Sequence, residues 1–227
     1  MELSSKTISE IAKKASMICD LLIANYGETV SSRKRPPLDE LIYTILSQNT
    51  TDENAEIAYQ NLLVEYPTWE QVLNAPDKKL QELIFPSGFY KVKTRRIKRT
   101  LKEIKRRVGA LDLSILQDME VEEAKEWLTS LHGVGQKTAA IVLLFCFRKP
   151  VVPVDTHVHR VTKRLGIVPQ DYSHDSAQIF LEKILPRYCV YSLNHNLVKH
   201  GREICKAREP QCDQCFLSHL CDYYLSQ

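Results

Sequence analysis

Apolar residues recur at helical spacing along most of the chain, and few stretches alternate as a half-buried strand requires. Ile8, Ile11, Ala15, Ile18 and Leu22 form one stripe across residues 6–26. Residues 31–37, Ser-Ser-Arg-Lys-Arg-Pro-Pro, read as a linker closed by two prolines. Helices are expected near 38–46, 53–65, 68–74 and 77–84, each bounded by Pro, Asn or Asp. After a turn at 86–88, a helix over 89–108 has Val92, Ile97, Leu101 and Ile104 beneath it. A loop through 112–118 leads to helices over 121–130 and 137–147. Pro150 and Pro153 then break the chain before Asp155 or Thr156, which caps a helix running to Leu165. Further helices are expected over 176–185 and 192–205. Ten or eleven helices and no strand make the expected fold class all-α.

Between the helices at 121–130 and 137–147 stands Leu131–Thr138, read Leu-His-Gly-Val-Gly-Gln-Lys-Thr. Gly133, Val134 and Gly135 make a tight hairpin, so the unit is helix-hairpin-helix. Glycines let a backbone approach a partner closely, and the free amides of a helix start favour an anion. A DNA phosphate is the natural partner, with Lys137 beside it. Lys137 and Asp155 both stand at expected helix starts. A lysine acts as a nucleophile only when neutral, which takes burial or the positive potential of helix N-termini. A carboxylate can accept its proton and stabilise a cationic sugar. The plainer alternative is a lysine that touches phosphate and an aspartate that only caps.

Charge sharpens the DNA expectation. Residues 91–107 hold ten Lys or Arg and one acid, a local charge of +9. The whole chain carries +3, so the other 210 residues carry −6. One basic stripe on an acidic body suits a localised polyanion contact, although a solvated helix face would look the same. No apolar run is long enough to span a membrane, and the first residues lack a signal-peptide core. An intracellular protein of the cytoplasm or nucleoid, with no membrane partner, is expected.

Four of the seven cysteines, Cys205, Cys212, Cys215 and Cys221, fall within the last 23 residues. The spacing C-x6-C-x2-C-x5-C suits a closed site for Zn²⁺ or a [4Fe–4S] cluster, and spacing does not separate the two. Cys19, Cys146 and Cys189 sit in apolar surroundings and are expected to be ordinary buried residues.

The hairpin 131–138, the segment Val152–Arg160 (Val-Pro-Val-Asp-Thr-His-Val-His-Arg) and the four spaced cysteines together resemble the endonuclease III family from about Leu38 onward. That resemblance implies a DNA glycosylase with AP lyase activity and a [4Fe–4S] cluster on the four cysteines. Lys137 matches the Schiff-base lysine and Asp155 the essential aspartate. It also implies a six-helix barrel over 30–149 and a second, cluster-bearing domain made of 1–29 and 150–227, flanking a DNA-binding cleft. The partner would be duplex DNA carrying a damaged base or an abasic site, bound by a monomer. Residues 46–52 and 87–90 match the loops that fill the gap left by a flipped base. Gln48, Asn49 and Phe89 are the candidates there, with His157 as a further DNA contact. Lys137 separates the chain from monofunctional branches of the superfamily. Mismatch or modified-cytosine glycosylases, and a non-catalytic DNA-binding protein, are the alternatives.

Overall fold

Two compact units divide the chain, one formed by Met1–Ser32 with Arg148–Gln227 and the other by Arg33–Phe147. The structure, a computed structural model, describes residues 4–28 and 35–227. Of the linker expected at 31–37, residues 31–34 lie outside the described residues, as does the boundary expected between 29 and 30, and Pro37 already opens the first helix of the second unit. No helix among the described residues is long and apolar enough to cross a membrane.

The first unit contains α1 (Ser5–Tyr26). The second contains α2 (Pro37–Ser47), α3 (Asp52–Glu65), α4 (Trp69–Asn74), α5 (Asp77–Leu83), α6 (Tyr90–Val108), α7 (Val121–Thr129) and α8 (Gln136–Phe147). The chain then completes the first unit with α9 (Thr156–Arg164), α10 (His174–Ile184), α11 (Val190–Glu203) and the short α12 (Asp222–Leu225). No strand occurs among the described residues, so the fold is all-α as the periodicity predicts.

Caps set several boundaries. Ser4, Thr51, Thr68 and Ser173 each accept an amide of the first turn that follows, and Thr68 forms a reciprocal box with Gln71. α2 begins on Pro37 without a side-chain cap. Its stability comes from packing, because Leu41, Ile42, Ile45 and Leu46 are wholly buried against α3, α6 and α8. Each such burial contributes roughly 1.5–3 kcal/mol, more than the ~1 kcal/mol of a cap. α8 buries Thr138, Ala139, Ala140, Val142, Leu143 and Leu144, which explains why its sequence is apolar on nearly every side. In the other unit α11 packs on α9 and α1, and α1 also meets α10.

Several expectations need correction. α6 starts at Tyr90 because Phe89 is left-handed, with φ 45°, and Val92 is half-buried rather than beneath the helix. α10 and α11 each begin two residues early, at His174 behind the Ser173 cap and at Val190. The loop at 112–118 contains a 3-10 turn, Ser114–Gln117. Cys19 and Cys189 are buried, but Cys146 is only half-buried.

Candidate active site

The hairpin is braced from behind by α6. Gly133 has φ +83°, and a Cβ there would stand 2.8 Å from the Arg96 side chain. Thr100 Oγ1 donates to the His132 carbonyl at 3.0 Å, and Arg99 lies 3.5 Å from the His132 ring. Val134 is 6% exposed and anchors the turn inward. Gly135 differs, because a Cβ there would meet nothing. Its open space leads straight onto the start of α8, whose first amides have no intrahelical acceptor. An anion can therefore approach this backbone closely. Lys137, in the first turn of α8, is exposed. The helix start beside it is a source of positive potential.

Two further segments of the same unit carry the expected gap-filling residues, and they differ in kind. Gln48 is engaged: its Oε1 accepts from Arg96 at 2.7 Å, and its Nε2 donates to Thr138 at 3.4 Å. Asn49 is exposed and left-handed, with φ 54°. Phe89 is also left-handed and 65% exposed, which excludes a core role for its ring. Behind both segments sits Lys93, 2% exposed, whose Nζ donates to the Leu46 and Ser87 carbonyls at 2.6 Å each. Burial, reinforced by nearby Arg96, pushes the Lys93 ammonium down to about 8.

Asp155 belongs to the other unit and caps α9. Its Oδ1 accepts the amides of His157 at 2.9 Å and Val158 at 2.8 Å, so one oxygen fixes the carboxylate's position. The strand-like approach to it, Val151 to Val154, is buried and tied down. The Val152 amide donates to Glu182 at 3.0 Å, and Asn194 donates to the Pro153 carbonyl at 2.6 Å. His157 is turned to internal use, with Nδ1 3.1 Å from Arg160 and its Cβ close against Gly201.

The four C-terminal cysteines line one cavity together with His200, Arg164 and Tyr223. Among the described residues no group gathers closely enough for a single ion. Two hydrogen-bonding side chains approach the sulfurs. Arg164 donates to Cys205 Sγ at 3.4 Å, and His200 Nε2 lies 3.5 Å from Cys215 Sγ. Burial pushes the His200 imidazole down to about 4 and makes it neutral. The Tyr26 hydroxyl lies 3.0 Å from its Nδ1, so the ring is held between that hydroxyl and the Cys215 sulfur. Arg160 and Arg164 also hold the loop's backbone, at the Cys205, Lys206 and Ala207 carbonyls. These residues fit the group: Cys205, Cys212, Cys215 and Cys221 would hold it.

The basic stripe is smaller than its sequence suggests. Lys98 pairs with Asp77, Lys105 with Glu70, and Arg106 and Arg107 share Glu103, whose carboxyl they hold down at about 2. Lys93 and Arg96 turn inward, as described. The exposed cations left without a carboxylate are Lys91, Arg95, Arg99 and Lys102.

Sequence reasoning missed Lys93, Arg96, Glu182, Asn194 and His200. One signal was available: Lys93 shares helical spacing with Ile97, Thr100 and Ile104, all buried.

Residues 42–187 match the family described as HhH-GPD superfamily base excision DNA repair protein. Residues 205–221 match the iron-sulfur binding domain of endonuclease III, and a [4Fe–4S] cluster is the cofactor. The endonuclease III of Thermotoga maritima is 38% identical over 192 residues, covering 85% of each chain. A solved non-covalent endonuclease III–DNA complex superposes with a TM-score of 0.81 at 30% identity, covering 95% of this chain and 97% of that one. A trapped endonuclease III–DNA covalent intermediate gives 0.79 at 29% identity and covers 99% of both chains. With hairpin, aspartate cap and cysteine loop all in place, the chain belongs to the endonuclease III family.

Proposed function

We propose that this protein removes oxidised pyrimidines from duplex DNA and cleaves 3′ to the resulting abasic site, with Lys137 as nucleophile and Asp155 as its electrostatic partner. Base excision repair by a DNA glycosylase with lyase activity is the function of its family. The assignment of roles is supported by one observation in each unit: an exposed lysine on an open helix start, and a carboxylate held by two amides.

In this reading the amides around Gly135 hold a phosphate of the damaged strand. Lys137 Nζ attacks C1′ of the flipped nucleotide as the base departs, and Asp155 stabilises positive charge on the sugar. Loss of a proton from the nitrogen and ring opening give a Schiff base. The C2′ hydrogen thereby becomes acidic, and β-elimination expels the 3′ phosphate. Asn49, whose amide is free of internal partners, fills the gap, while Gln48 stays with Arg96 and Thr138; Phe89 wedges into the stack. Cys205, Cys212, Cys215 and Cys221 would hold the [4Fe–4S] cluster, which would fix the shape of the loop that carries Lys206 and Arg208. A single copy of the chain acting on nucleoid DNA completes the proposal.

A panel of duplexes with single lesions tests it. Oxidised pyrimidines should be excised and the strand cut, whereas undamaged thymine and 5-methylcytosine should be left. Excision of 5-methylcytosine with oxidised pyrimidines untouched would contradict the substrate assignment.

A further inference from the structure

Lys93 is a buried cation that the chemistry above does not use. It is 2% exposed, and its ammonium spends two N–H groups on carbonyls 41 residues apart in sequence, Leu46 and Ser87, at 2.6 Å each. Leu46 O belongs to the last turn of α2, where carbonyls lack intrahelical donors and the helix end favours positive charge. Ser87 O closes the 3-10 turn Phe85–Ser87. Three residues beyond the first carbonyl comes Asn49, and two beyond the second comes Phe89. Both are non-glycine residues in the left-handed region, at φ 54° and 45°. Such backbone persists only where its surroundings over-determine it.

We propose that Lys93 is a positioning residue for base flipping, a single ammonium that clamps the Asn49 and Phe89 loops in their strained, protruding conformations so that both can enter the stack together. The proposal rests on these two loops being the gap fillers. Several features favour a clamp over a packing role. An apolar side chain would fill the same volume without the desolvation that burial of a cation entails. Burial lowers the ammonium to about 8, so it remains charged at neutral pH. The neighbouring Arg96 holds Gln48 in the same direction, with Nη1 to Oε1 at 2.7 Å. Two adjacent turns of α6 thereby fix one loop, and Lys93 extends the fix to the other.

The test compares single-turnover rates of the iron-loaded full chain on two duplexes, one with thymine glycol and one with a preformed abasic site. The abasic site has no base to unstack, so it needs the wedge less. Lys93→Met should lower the ratio of base excision to abasic-site cleavage at least tenfold. Phe89→Ala and Asn49→Ala should lower the same ratio, and adding Phe89→Ala to Lys93→Met should cost little more. Should Lys93→Met fail to fold, Lys93→Gln, which keeps an N–H donor at shorter reach, is read in the same two assays. A parallel fall on both duplexes, or no fall, would overturn the clamp while leaving the gap-filling loops intact. No change of ratio in Phe89→Ala and Asn49→Ala would overturn the loop assignment and the clamp with it.

Discussion

Asp155 caps α9 through one oxygen, and the proposed chemistry falls to the other. Oδ1 takes the His157 and Val158 amides, and the cap alone contributes about 1 kcal/mol. Cap and chemistry therefore separate by substitution. Asp155→Asn keeps an oxygen for the amides, so it should unfold within a degree or two of wild type yet lose most base excision. Asp155→Ala should lose the same activity and also about 1 kcal/mol of stability; equal activity in Asn and wild type would leave the aspartate as a cap only. The two hairpin glycines separate in the same way. Gly133→Ala must place a Cβ against Arg96 in a left-handed backbone, which should cost about 2 kcal/mol or more in a denaturant melt. Gly135→Ala meets nothing and should melt normally, yet a Cβ in the anion's path should weaken binding to abasic-site DNA severalfold. The motif showed that both glycines mattered. That one serves the fold and the other the ligand was not legible, because the difference lies in where Arg96 points.

At the scale of elements, α6 carries most of what the pattern of residues concealed. Its run of cations reads as one basic stripe suited to a polyanion, because charge in a sequence does not say which way it faces. In the fold its inner side holds the hairpin through Arg96, Arg99 and Thr100 and two loops through Lys93 and Arg96. Helix positions and most caps were legible, since apolar spacing and Ser or Thr caps are local. The start of α6 was not, since Phe89 takes a backbone that only the surrounding contacts impose. The buried lysine leaves a thermodynamic mark. Its folded value, about 8, lies below the ordinary 10.5. Below pH 8 the cost of burying the charge is fully present. As pH rises from 8 to 10.5 the folded state sheds the proton before the unfolded chain, and the cost lifts at ~1.4 kcal/mol per pH unit. Stability of wild type relative to Lys93→Met, from urea melts, should therefore climb over that window. A flat difference would mean the ammonium is not buried as described.

For the whole molecule, the three motifs in their order were enough to place the family, and the cysteine spacing became decisive only beside the other two. Spacing left zinc and a four-iron cluster equal; the match of residues 205–221 to the iron-sulfur binding domain of endonuclease III decides for the cluster. The net charge of +3 understates the DNA-facing charge, yet the local +9 overstates it, because internal ion pairs consume much of α6. Lys91, Arg95 and Lys102 remain for phosphate. Replacing all three with Gln should lower the slope of log affinity against log salt by about 2 to 3 on a long duplex. Single-turnover cleavage at saturating enzyme should change little, since these residues touch no reacting atom; an unchanged slope would assign them to solvent.

The proposed chemistry turns on a covalent bond between Lys137 and the sugar of the excised nucleotide. Sodium borohydride added during turnover of an oxidised-pyrimidine duplex should trap a stable protein–DNA adduct, with peptide mapping placing it on Lys137, and Lys137→Gln should bind the duplex but give no adduct. Strand cleavage by wild type without any trapped adduct, or an adduct that persists in Lys137→Gln, would contradict the account.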